Sequence, residues 1–205
     1  IRDSGSPVTS WNERSTPAQY TESSAYPGSN GISLEAMIAL CNHQKKDLWF
    51  CVPHLADDDF SVQAAALIRD TLDPCVQVYV EYSNETWNGA PPYTQTYYAR
   101  AEGQALGFGP GDQTAASRYT ALRSARIWQI FADAFSADDP ARVVNVLASW
   151  AGSPATSQER LDALSDPVIN PTGIAADALA IAPYFGHGIS SADIATDGYP
   201  TPAYI

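Results

Sequence analysis

Short apolar runs alternate along the chain with longer stretches in which apolar residues recur every three or four positions. The first thirty residues, IRDSGSPVTSWNERSTPAQYTESSAYPGSN, carry neither pattern, and their density of Ser, Thr, Pro and Gly predicts an irregular covering segment over 1–30. Residues 33–46, SLEAMIALCNHQKK, predict a helix with Ser33 as its cap, Glu35 in the first turn and Lys45 and Lys46 in the last, so that both ends of the helix dipole are complemented. DLWFCVPH at 47–54 is a short apolar run stopped by Pro53, the pattern of a strand buried on both faces. A second helix opens in Asp57, Asp58 and Asp59 and ends before Asp73-Pro74.

CVQVYVEYSNE at 75–85 follows, with Val76, Val78 and Val80 at alternate positions, and predicts a second strand. Pro91 to about Leu106 reads as loop passing into helix. Residues 114–136 place Tyr119, Leu122, Ile127, Ile130, Phe131, Ala134 and Phe135 at helical spacing, a long amphipathic helix closed by Asp139-Pro140. ARVVNVLASW at 141–150 is a third strand, TSQERLDAL at 156–164 a short helix, and DALAIAPYF at 177–185 a fourth apolar run. Strands that start near 48, 76, 142 and 178, with helices between them, predict βαβ units and an α/β fold on a parallel sheet.

Composition narrows the function classes. The 205 residues make one domain the expectation, and 45% hydrophobic against 17% charged residues exclude a disordered chain. With 11 Lys and Arg against 23 Asp and Glu, the net charge of −12 repels phosphate backbones and anionic head groups, so neither nucleic acid nor a membrane is expected as a partner. No apolar run approaches the ~18–20 residues of a membrane span. The chain starts at Ile1 without an initiator Met, which suggests a processed product or a piece of a longer protein. Cys41, Cys51 and Cys75 are odd in number and lie in apolar surroundings, which predicts buried, reduced thiols; a Cys41–Cys75 bridge is the alternative. GFGPGD at 107–112 follows a helix and carries a Pro, so it is no phosphate loop, and no cofactor is expected.

Parallel α/β sheets place their working residues at the C-terminal ends of the strands. Here those ends read VPHLADDD, VEYSNETWN, LASW and APYFGHG. The sharpest is Ser83-Asn84-Glu85-Thr86-Trp87-Asn88: a carboxyl at the end of a buried strand, flanked by Tyr82 and Trp87, is a desolvated acid suited to proton transfer, and Asn84 beside it can hold a hydroxyl. An Asn-Glu that merely caps the next helix is the plainer reading. Glu81 shares strand parity with Glu85 and is expected in a buried polar network. His54 with Asp57, Asp58 and Asp59 has the composition of a metal cluster, but successive Asp residues cannot all point one way and they suit a helix cap, so no metal is expected. His54 then either lines a pocket or is a satisfied buried histidine. Trp87 and Trp150 either stack on sugar faces or belong to the core. Asn84-Glu85-Thr86 also spells a glycosylation sequon, at a place where a strand end makes a poor acceptor.

The Asn84-Glu85 pair resembles the strand-four signature of the clan of retaining glycosidases built on (β/α)8 barrels. More narrowly, the run from about Gly31 to Asn88, with PHLADDD and VYVEYSNETWN, is similar to bacterial secreted proteins of that clan that are often joined to carbohydrate-binding modules. The likeness extends more weakly to Phe185 through RSARIWQIF, VVNVLASW and ALAIAPYFG. It implies that Glu85 is the acid/base, that Asn84 binds the hydroxyl next to the anomeric carbon, and that Tyr184 and His187 contact sugar. It also implies a TIM-barrel-like fold of which residues 1–205 supply about strands three to six, and an extracellular protein acting on polysaccharide or oligosaccharide. The nucleophile, which belongs to strand seven, then lies beyond Ile205. Such a piece leaves open sheet edges, so the remainder of the barrel or another chain is expected to cover them. Two rivals stand beside this reading: a non-catalytic glycan-binding or extracellular structural or assembly protein on the same scaffold, and an α/β scaffold with an incidental Asn-Glu.

Overall fold

The computed structural model describes residues 6–19, 31–90, 93–137 and 139–183. The first helix, α1 (Leu34–Gln44), is capped at its N-terminus as its sequence predicts, the Ser33 hydroxyl oxygen accepting the Ala36 N–H at 3.3 Å, but it ends before the expected lysines: Lys45 is its C-cap, in the left-handed region at φ 51°, and Lys46 lies beyond it. Strand β1 (Leu48–Val52) stops at Pro53. Asp57 caps α2 (Asp58–Thr71) by accepting the Phe60 N–H at 2.7 Å. Strand β2 (Val78–Tyr82) leads through a turn to α3 (Thr94–Ala105) and the 24-residue α4 (Asp112–Phe135). A 3-10 turn over Pro140–Arg142 enters β3 (Val143–Ala148), Ser153 caps α5 (Pro154–Ser165), and β4 (Ala178–Ala180) ends the sheet.

All four strands are parallel and lie in chain order, β1-β2-β3-β4. For parallel neighbours in chain order, the right-handed crossover rule places the connecting helices on one face. Burial follows that rule: Leu48, Phe50, Val52, Val78, Val80, Tyr82 and Leu147 merge with Ile68, Trp128 and Phe131 of the helices in one core. The Phe50 and Phe131 rings lie 6.4 Å apart, and the Trp128 indole N–H donates to the Val80 carbonyl at 3.0 Å. Helices α3 and α4 meet at Gly103, where a Cβ would fall 2.1 Å from the Ala115 carbonyl oxygen.

Several expectations are corrected. Strand β1 is buried on one face only, since Trp49 on the other is 44% exposed. Strand β2 is shorter than 75–85 because Ser83, at φ 59°, leaves the extended conformation. Of the run 177–185, the described residues reach 183, and three of them form β4, with Leu179 38% exposed. The three thiols are free, but they are not buried: Cys41 and Cys51 are half-buried and Cys75 is exposed, placed in a turn where Asp73 accepts its N–H. Of the expected loop, residues 11–13 form a 3-10 turn; Trp11 meets Phe60 edge-on at 5.5 Å and the Asp57 N–H donates to the Thr9 carbonyl at 2.9 Å, so this segment covers the start of α2. Among the described residues no helix is long and apolar enough to cross a membrane.

Candidate active site

Beyond Tyr82 the chain turns sharply. Ser83 and Glu85 both occupy the left-handed region, at φ 59° and 52°, a conformation that residues with a Cβ adopt only where their surroundings enforce it. The enforcing contacts come from two sides. The Ser83 N–H donates to the Val52 carbonyl at 2.8 Å, tying the turn to the end of β1. From the first turn of α3, the Gln95 amide donates to the Asn84 carbonyl, and the Thr96 hydroxyl reaches the carbonyls of Glu85 and Asn88 at 3.1 and 2.7 Å. Gln95 and Thr96 are themselves buried.

This turn buries the side chains that the sequence singles out. Glu85 is 6% exposed, and its Oε2 accepts the Asn88 amide at 2.8 Å. Asn84 is 9% exposed, and its Nδ2 is buried without a hydrogen-bond partner. Both line a hollow of about 570 Å³ at the C-terminal ends of the strands, together with Trp49, Glu81, Trp87 and Ser149. That volume lies within the ~300–1,000 Å³ of small-molecule sites. Glu81 sits in the expected polar network: it is buried, and its Oε2 accepts the Trp49 indole N–H at 2.7 Å and faces the Cys51 thiol at 3.7 Å. Trp49 in turn stacks on Tyr79, 5.4 Å away and nearly coplanar at 6°. Close to Glu81, the wholly buried Arg160 of α5 donates to the Ala148 carbonyl. Burial pushes its guanidinium down to about 10, against the opposing pull of Glu81 and Glu159.

Trp87 and Trp150 come together as a stacked pair, 5.0 Å apart at 10°. Trp87 lines the hollow, whereas Trp150 braces it from outside the lining. Gly152 permits this, because a Cβ there would lie 2.4 Å from Trp150 Cζ2. His54 is 3% exposed, packs edge-on against Tyr98 at 5.5 Å, and stands apart from the residues that line the hollow. The acidic cluster divides its work: Asp57 caps α2, while Asp58 bonds Arg123 at 2.7 Å and Arg126 at 2.9 Å across to α4. Among the described residues no group of three or more His, Cys, Asp or Glu is placed to hold a metal ion. Tyr184 and His187 lie outside the described residues.

Sequence reasoning passed over Trp49, Ser149, Gln95 and Thr96. The parity of Trp49 with Cys51 was readable, but its pairing with Tyr79 needs the strand register. Chemically, the site offers a shielded carboxyl, an amide side chain beside it, and flat aromatic walls. No known protein family, curated protein or solved structure matches the chain. What is shown is an α/β fold on a four-stranded parallel sheet.

Proposed function

We propose that the chain carries the acid/base half of a retaining glycoside hydrolase site, on an arc of a (β/α)8 barrel. Glu85 protonates the departing glycosidic oxygen and afterwards takes a proton from water, while the Asn84 side chain hydrogen-bonds the sugar hydroxyl next to the anomeric carbon. A retaining mechanism needs an attacking carboxylate about 5–5.5 Å from the first. In this reading it comes from polypeptide outside residues 1–205, as does the rest of the barrel wall. The consecutive strand order supports the barrel, since a doubly wound sheet reverses its order at a switch point.

The observation that carries the proposal is the burial of Glu85 at the end of a central strand, in a left-handed turn that sets it beside Asn84 in the lining of one sugar-sized hollow. The experiment is release of reducing ends from soluble polysaccharides and oligosaccharides by the full-length protein and its Glu85→Gln variant. Turnover lost with an unchanged melting temperature is the expected result, and turnover retained in the variant overturns the assignment. One observation favours a binding protein on the same scaffold: the stacked Trp87–Trp150 pair and the Trp49–Tyr79 pair are aromatic platforms, which bind glycans without chemistry. That reading predicts sugar binding by a protein that never cleaves.

A further inference from the structure

The hollow's chemistry is specific enough to narrow the sugar. Its described lining holds two carboxylates, Glu81 and Glu85, and two indoles, Trp49 and Trp87, and no Lys, Arg or His. Proton transfer at a glycosidic oxygen uses Glu85 and leaves Glu81 without a role in that step. Glu81 is 8% exposed, and Trp49 and Cys51 orient it from β1. A buried carboxylate in a recess walled by aromatic rings favours an organic cation, through charge attraction in a low dielectric and through the ring quadrupoles. Asn84 lines the same recess and brings an amide side chain, suited to a sugar hydroxyl, beside the two carboxyls. Arg160 opposes the attraction in part, but its guanidinium is wholly buried and is not among the residues lining the hollow.

From these groups, and resting on the glycan reading above, we infer that the hollow is built for an amino sugar carrying a free, protonated amine, with Glu81 as the residue that selects it. The ammonium group faces Glu81, the C–H faces of the ring lie against Trp49 or Trp87, and Asn84 takes a hydroxyl. N-acetylation removes the charge and adds bulk, and a neutral hexose offers Glu81 only a hydroxyl. The chain's net charge of −12 draws any cationic glycan toward the surface, so the site-specific part must be separated from the general field.

Three tetrasaccharides with one β-1,4 backbone differ only at C2: the glucosamine tetramer (amine), the N-acetylglucosamine tetramer (amide) and cellotetraose (hydroxyl). Titration calorimetry at mildly acidic pH uses the full-length Glu85→Gln protein, which leaves Glu81 as the one carboxylate among the described lining residues. The glucosamine tetramer should bind about tenfold or more tighter than cellotetraose, with salt weakening the former and sparing the latter. Adding Glu81→Gln, whose amide oxygen still accepts the Trp49 N–H, should erase the preference and leave cellotetraose within about twofold. Equal affinity for all three, or a preference that survives Glu81→Gln, overturns the amino-sugar assignment and leaves the glycosidase reading standing. If none of the three binds, the amino-sugar assignment falls, and the glycosidase reading rests on the reducing-end assay above. Should the double variant fail to fold, the single variant at high salt decides, because salt screens the surface field far more than a buried charge: a preference that vanishes there overturns the assignment.

Discussion

On the helix-covered face of the sheet, Leu48, Phe50 and Val52 of β1 and Val78, Val80 and Tyr82 of β2 are each at most 6% exposed and share a core with α2 and α4. On the other face, one residue out of step, stand Trp49 and Cys51 of β1 and Tyr79 and Glu81 of β2, paired in register as indole with phenol and thiol with carboxylate. The side-chain period of two lets the same five residues anchor the fold and furnish a recess. Stability and candidate chemistry are therefore separable by parity, and substitutions on the two faces should fail in different ways.

The largest separation is between two tryptophans. Trp128→Ala empties a fully buried site and strips the Val80 carbonyl of its indole donor, and should cost about 3–5 kcal/mol in urea unfolding. Trp49→Ala, at a position 44% exposed, should cost about 1–2 kcal/mol, much of it from the lost bond to Glu81. Equal losses would mean that the hollow-facing side is core after all.

Gly152→Ala sharpens the comparison at the rim. The new methyl collides with the Trp150 ring, so the stacked pair must part. Far-ultraviolet circular dichroism should lose the exciton signal of coupled indoles, and glycan affinity should fall about threefold to tenfold while the fold persists. An intact exciton signal would show that Trp150 is placed by something other than the missing side chain.

The smallest effect concerns pH. Burial by itself would raise the Asp58 carboxyl, but hydrogen bonds from Arg123 and Arg126, with their charges, outweigh it and hold the group below its ordinary value. A carboxyl depressed in the folded state adds stability that is fully present above its unfolded pKa of about 3.9 and is lost as pH falls through the folded value. Asp58→Asn should therefore flatten the acid limb of the stability profile below about pH 4 and leave the slope near neutrality unchanged. Urea midpoints measured across that range check it, and an acid limb identical to the parent's contradicts it.

How far the sequence carries depends on the range of the interaction. Caps are local, and Ser33 and Asp57 stand where their residue types predict, whereas Ser153 opens α5 ahead of the expected start at 156. The Val-rich run marked β2, and Glu81 was legible as an inward group from strand parity; Glu85 was legible as a strand-end carboxyl, although the chain leaves the strand at Ser83 and parity does not reach it. Strand ends were less so: the run 75–85 stops at Tyr82 because contacts from β1 and α3 force Ser83 and Glu85 into left-handed backbone, a tertiary effect without a local sign. The fate of Trp150 depends on Gly152, two residues away, and on Trp87, sixty-three residues earlier in the chain. His54 shows the limit from the other side: a histidine at a strand end is as readily drawn under an aromatic neighbour, here Tyr98, as into a recess.

The central claim is that Glu85 delivers a proton to a departing sugar oxygen. Its most direct measurement is the dependence of kcat/KM on leaving-group acidity, for the full-length protein and Glu85→Gln, over aryl glycosides running from phenol to dinitrophenol. Loss of the proton donor should depress cleavage of the phenyl glycoside by about a hundredfold or more and spare the dinitrophenyl glycoside, whose leaving group departs without help. A uniform loss across the series, or none, would contradict it.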